Sequence, residues 1–263
     1  MEPYRFDARF LEHGLTAAAL SLPEYAEPYR VLLVAEDAPL RPLLAAHPLL
    51  VADAPPDLRR RAPAFAQLST RVTAPRHSQP PHRDHPHRPG DPRRFTLFWA
   101  ERPRNHAHTF FIEESCADEL ADATTGWLLG NREAAEAAAL RVTLFHDDPR
   151  RVTRYALPPS HVFAFTSLVT GDPAPWLLLD ALARSTVTTR LLGNTEIATR
   201  LTEHLLARLG ARAWTEAWER PRVVIADDST LLHGRLGRGE SGEGFFRVWL
   251  TLAEQSVSAT ATG

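Results

Sequence analysis

Lysine is absent from this chain: all 30 residues of its basic count are arginine. Covalent Schiff-base chemistry through a lysine amine is therefore closed to it. The lone cysteine, Cys116, excludes an internal disulfide and a cysteine-rich zinc site. No apolar run is long enough to span a bilayer, and Met1 is followed by Glu2, Pro3, Tyr4 and Arg5 rather than by the apolar core of a signal peptide. A soluble cytoplasmic protein is expected. Charge is nearly balanced, 30 basic residues against 32 acidic for a net of -2, so no global field draws nucleic acid or an anionic membrane. Internal repeats and coiled-coil heptads are also missing.

What the chain does have is enough apolar material for one sizeable core, 44% of 263 residues. We expect one domain over 1–263. Val31–Val34 reads as a short strand, although prolines obscure most of the first sixty residues. A basic stretch from Pro55 to Pro63 reads as a linker leading to a strand around Leu68–Val72. Pro75 to Arg94, dense in Pro, His and Arg, reads as a loop. Phe95–Ala100 and Thr109–Ile112 have the β-branched and aromatic content of buried strands, and strand-like runs return at Val142–Phe145 and His161–Thr166. Ser115 with Asp118 and Glu119 marks a helix start, and Arg132–Leu140 is a second helix candidate. The clearest helix is Glu196–Leu209, with Ile197, Leu201, Leu205 and Leu209 on one face. Trp214 and Trp218, four apart, also fit helix packing. Strands at Val223–Ala226, Leu231–His233 and Phe245–Leu252 close the chain. Many strands and few separate helices predict a mainly β, α+β fold, a sheet sandwich with helices outside it.

Four polar anchors stand out against this frame: His82-Arg83-Asp84, Thr109, His233 and Arg247. Two imidazoles and a carboxylate that hold one face of a metal suit a non-haem Fe(II) oxygenase centre. His82 and Asp84 are two apart, so in extended chain they share a side and can grip one ion. The motif alone is weak. With 32 acids in 263 residues, about one His in eight has an acid two positions later by chance, and His146-Asp147-Asp148 is such a decoy. His233 taken alone fits a hydrogen-bonded core histidine better than a ligand. Arg247 offers the planar fork that binds a carboxylate bidentately, with Phe245 and Trp249 on its own side of the strand. A structural acid is the alternative partner.

The segment Asp227-Asp228-Ser229-Thr230-Leu231-Leu232-His233-Gly234-Arg235, with Phe245-Phe246-Arg247-Val248-Trp249-Leu250 after it, resembles the C-terminal signature of the taurine dioxygenase and clavaminate synthase-like superfamily. In that family the distal histidine lies in a His-Gly-Arg sequence, and a later strand supplies an arginine for the C5 carboxylate of 2-oxoglutarate. Here 13 residues, 234–246, separate His233 from Arg247, and 24 residues, 85–108, separate Asp84 from Thr109. Both spacings fit. The same count from the decoy Asp148 reaches Pro173, not a hydroxyl residue. One departure is the Asn105-His106-Ala107-His108 run before Thr109, which lacks the Gly common there.

The resemblance implies a double-stranded β-helix, or jelly-roll, core. It implies Fe(II) held by His82, Asp84 and His233, and 2-oxoglutarate anchored by Arg247 with help from Thr109. Dioxygen would be the second cosubstrate, with succinate and carbon dioxide as products and hydroxylation as the default outcome. Desaturation or cyclisation would use the same site. Arg235, on the side of His233, would serve cosubstrate or substrate. The substrate is expected to be a small molecule such as an amino acid or biosynthetic intermediate, bound beside the metal by loops at 75–94, 150–159 and 169–194. Arg83, Arg88 and Arg235 are the charges nearest in sequence for reading it. The remaining histidines, among them His85 and His87 and the polar-loop residues His77, His106 and His108, lack a second metal pattern. A zinc hydrolase on the same triad would leave Arg247 and Thr109 without a matched task. A non-catalytic jelly-roll binding protein would need no metal, and a homo-oligomer is compatible with either reading.

Overall fold

The computed structural model describes residues 1–20, 29–64, 70–71, 78–82, 94–101, 108–116, 119–120, 123, 127, 130–131, 195–237 and 245–253. The expected helix at 132–140, the strands at 142–145 and 161–166, the decoy at 146–148 and the loops 150–159 and 169–194 lie outside these residues. So do Arg83, Asp84, His85, His87, Arg88, His77 and His106.

The described strands form two sheets. In the larger, the order is β1 (Tyr4–Arg5), β4 (Leu49–Asp53), β10 (Arg222–Asp227), β7 (Phe95–Ala100), β12 (Phe245–Leu252), β3 (Tyr29–Val34), β2 (Leu15–Leu20), and the short β5 (Thr70–Arg71) also pairs with β12. The smaller has the order β6 (Gln79–His82), β11 (Leu231–Leu236), β8 (His108–Glu113), β9 (Ala213–Glu216). Strand β7 is central and buried at all six positions, which is why Phe95-Thr96-Leu97-Phe98-Trp99-Ala100 reads as an unbroken apolar run rather than an alternation.

Alternation along the strands divides the core in two. Leu97, Trp99, Val223, Ile225, Phe246, Val248 and Leu250 point outward and pack on Leu11, Leu40, Leu44 and Leu58. These last come from a 3-10 turn (Ala8–Glu12), from helix α1 (Arg41–Ala46) and its N-cap Leu40, and from helix α2 (Leu58–Arg61). From the opposite face Val51, Phe98, Val224 and Ala226 meet Phe111 and Leu231 of the smaller sheet. Each fully buried Leu, Val or Phe contributes about 1.5–3 kcal/mol, so the outer layer fastens the helices to the larger sheet and the inner one holds the two sheets face to face. Helix α3 (Thr195–Leu209) packs on β6 and β11 with Leu201, Leu205 and Leu209 buried and Glu203, His204 and Arg208 in solvent. The Ser78 hydroxyl ties it down, lying 3.0 Å from the Thr199 hydroxyl and accepting the Gly237 N–H at 3.1 Å.

The mainly β, α+β expectation holds for the described residues, and the strands expected around 95–100, 109–112, 223–226 and 245–252 are present. Four expectations differ, the first being the loop at 75–94, of which Gln79–His82 forms strand β6 because β11 pairs alongside it. The 55–63 stretch is not a plain linker, because Leu58 is fully buried and draws Leu58–Arg61 into a helical turn. His108 is no loop residue but opens β8. Trp214 and Trp218 share no helix: Trp214 lies in β9, beside Phe111, and Trp218 follows that strand with a left-handed backbone, φ 57°. Their spacing of four is coincidental to the helical period. No described helix is long and apolar enough to cross a membrane.

Candidate functional site

The smaller sheet brings two of the candidate ligands level. In the β6–β11 ladder His82 is the direct partner of His233, and the next pairing joins Gln79 to Arg235, so β6 carries one extra residue between them. The physical cause is Pro80-Pro81. Neither proline can donate to the ladder, which confines such a pair to an edge strand or a bulge, and β6 is bulged and lies at the edge of the described strands. Directly opposed positions of an antiparallel pair lie about 4.5–5.5 Å apart at Cβ, within the reach of one ion. Asp84, two residues on, lies outside the described residues. Among the described residues alone, three grouped metal donors do not occur.

His233 is 4% exposed and sits at the interface of the sheets. The ring of Phe98, from β7, meets its imidazole edge-on at a centroid distance of 5.3 Å, and Phe111, its β8 partner, lies at 6.4 Å. Behind the ring is Asp228, 5% exposed, with Oδ1 3.6 Å from His233 Nδ1. The Thr96 hydroxyl donates to the other carboxylate oxygen of Asp228. Its neighbour Asp227 does different work, accepting from the Arg94 guanidinium at 2.7 Å and from the Ser229 backbone N–H at 2.9 Å to fix the turn into β11.

Arg247 projects from the facing sheet. It is opposite Phe98 in the β7–β12 ladder, so the residue packed on His233 is also the strand partner of the candidate carboxylate anchor. Its guanidinium lies 4.7 Å over the Trp249 ring, on the side of the strand that the sequence indicated. Stacking there fixes the plane of the fork.

Thr109 and Arg235 are direct partners across β8 and β11, which places Arg235 two positions from His233 on one strand face. Thr109 is 6% exposed and accepts a hydrogen bond from the Trp218 indole at 2.8 Å. Because that bond occupies a lone pair, the threonine proton remains available for an acceptor elsewhere. Trp218 is itself braced: its backbone N–H donates to Glu216 Oε1 at 3.0 Å, and Arg222 donates to Glu216 Oε2 at 2.8 Å. A bulky residue with φ above zero is uncommon and persists only where its surroundings over-determine it.

Comparison with known proteins adds little to these observations. No family model and no curated protein matches the chain. Among solved structures, it is similar to PvcB from Pseudomonas aeruginosa, at 18% identity and TM-score 0.36 over 90% of this chain and 92% of that one. A second PvcB structure, described as an Fe, alpha-ketoglutarate dependent oxygenase from an isonitrile synthetic pathway, gives 16% and 0.36 over the same shares. AAD-2 in complex with Mn(II) and N-oxalylglycine gives 14% and 0.37, over 90% of this chain and 97% of that one. The likeness is faint. At such identities and scores it carries no weight for individual residues, and the case for the site rests on this chain's own geometry.

Sequence reasoning passed over Phe98, Thr96, Asp228 and Trp218. Phe98 and Thr96 looked like ordinary members of a buried strand, and Trp218 was hidden by its spacing from Trp214. Asp228 had a visible signal: two adjacent acids between two apolar strands, where a strand turn needs only one.

Proposed function

We propose that this chain is a single-domain Fe(II)- and 2-oxoglutarate-dependent oxygenase on a jelly-roll core, oxidising a small molecule, with hydroxylation as the default outcome. The observation that carries the reading is the register of β6 on β11, which sets His82 opposite His233 while Phe98 links His233 to Arg247 on the facing strand. Neutral nitrogen donors with a carboxylate behind one of them suit a divalent transition metal. In this reading His82, Asp84 and His233 hold the iron, which when bound would supply the redox chemistry that couples oxygen reduction to decarboxylation of the keto acid.

The chain's own residues have narrower tasks. Arg247, its plane set by Trp249, takes the distal carboxylate of 2-oxoglutarate through two parallel N–H bonds. Thr109, its oxygen held by Trp218, donates its proton to the same carboxylate. Phe98, Phe111 and Phe245 line the space between the sheets and keep water from the ion pair, strengthening it. Arg235 serves the cosubstrate or the substrate at the other edge of the histidine pair.

Metal analysis combined with a succinate assay tests the proposal. Iron in the purified protein with 2-oxoglutarate-dependent succinate formation is the expected result. Zinc without succinate would favour a hydrolase, and neither metal nor turnover a binding protein.

A further inference from the structure

We propose that Asp228 is a positioning residue for His233, holding its imidazole as the Nδ1–H tautomer so that Nε2 presents a bare lone pair. The inference rests on His233 being a metal ligand, but its first test does not need the metal. Three observations converge. Asp228 Oδ1 lies 3.6 Å from His233 Nδ1, a separation that a few tenths of an ångström of closure turns into a hydrogen bond. Asp228 and His233 are 5% and 4% exposed, and a carboxylate so buried is costly to keep charged unless polar partners satisfy it. Finally, Thr96, which is fully buried, donates its hydroxyl to Oδ2 and so turns Oδ1 toward the ring.

Adjacent Asp227 already satisfies Arg94 and Ser229, and the contact of residue 228 with Arg94 is through its backbone N–H to the Arg94 carbonyl at 2.8 Å, which any non-proline side chain would preserve. The side chain reaches instead across the sheet interface to Thr96 and His233. The chemical consequence follows from the two nitrogens of imidazole. An acceptor at Nδ1 stabilises the proton there, and the other nitrogen is left as the donor to a metal.

The test begins with metal-free protein carrying isotope-labelled histidine, above the pH at which imidazoles are charged. Ring nitrogen shifts, assigned with the His233→Gln variant, should show His233 with its proton on Nδ1. In Asp228→Asn the Thr96 hydroxyl keeps the amide oxygen, so the amide NH2 faces Nδ1 and drives the proton to Nε2. Cobalt(II) affinity, followed by its visible absorption, should then fall about 10–100-fold, with the melting temperature little changed. An Nε2–H tautomer in the unmodified protein, or the same tautomer in both proteins, would overturn the proposal. Failure of the iron reading looks different: cobalt would not bind the unmodified protein, or would bind His82→Ala equally well, whatever tautomer His233 has.

Discussion

The two faces of the strand pair β7 and β12 are made by the same two backbones in alternation, yet they differ in kind. Outward, Phe95, Leu97, Trp99, Phe246, Val248 and Leu250 are all apolar and all closed under the helices. Inward, Thr96, Phe98, Arg247 and Trp249 mix hydroxyl, ring and guanidinium against the smaller sheet. The lesson is that stability and chemistry have been assigned to opposite sides of one backbone. A period of two lets selection act on either face with little effect on the other.

Substitutions can break that separation or sharpen it. The largest effect is expected inward: His233→Ala or His82→Ala should abolish iron-dependent succinate formation, since the remaining donors cannot fix the ion, and metal content measured on the purified variants should fall with it. Full activity in either variant would end the metal assignment. Next comes the outer face, where Leu97→Ala should cost about 2–5 kcal/mol in denaturant unfolding through lost burial and a cavity. The surviving folded protein should show an unaltered 2-oxoglutarate requirement, and a raised one would mean that the two faces are coupled.

Arg247→Ala should reverse that pattern. A lost charged hydrogen bond to a carboxylate costs about 1.5–3 kcal/mol, so the 2-oxoglutarate KM should rise by one to two orders of magnitude with iron affinity retained. Equal loss of both would indicate a folding defect. Trp218→Phe keeps the ring and deletes the indole N–H, and it should raise the same KM several-fold. Combined with Thr109→Ala it should add almost nothing, because both changes disable one hydroxyl. Smallest of all is the surface pair Glu119–Arg212. Its hydrogen bond to Arg212 holds the Glu119 carboxyl below the ordinary glutamate value, so its contribution is present above that value and fades as pH falls through the lowered one. Arg212→Ala should lower thermal stability slightly at pH above the ordinary glutamate value and leave it unchanged at more acidic pH, as melting curves across the pH range would show.

Much of this arrangement was legible before any coordinates. Phe95–Ala100 and Phe245–Leu252 identify themselves because β-branched and aromatic side chains crowd into short runs, and Leu201, Leu205 and Leu209 because a buried helical face repeats at its own period. The placement of Arg247 beside Trp249 followed from alternation alone. What could not be read depends on pairing between distant segments. The bulge that sets His82 level with His233 is caused by Pro80-Pro81, yet those prolines in isolation indicate a loop, and only the presence of β11 alongside turns them into an edge strand. Trp218 reaches Thr109 across 109 positions of sequence. Asp228 meets Thr96 across 132. Local propensity holds no record of such contacts.

The order of strands in the larger sheet has a consequence for how the protein is made. Strand β12 lies between β7 and the parallel-paired β3, so among the described strands the antiparallel pair β2–β3 joins the rest of its sheet only through β12, which is synthesised long after it. Until residues near 250 emerge, that pair exposes an edge ready to bind other chains, and sequence-distant closure of this kind is intrinsically slow. Chaperone dependence during synthesis, and aggregation of nascent chains that stall before β12, would thus be built into the topology.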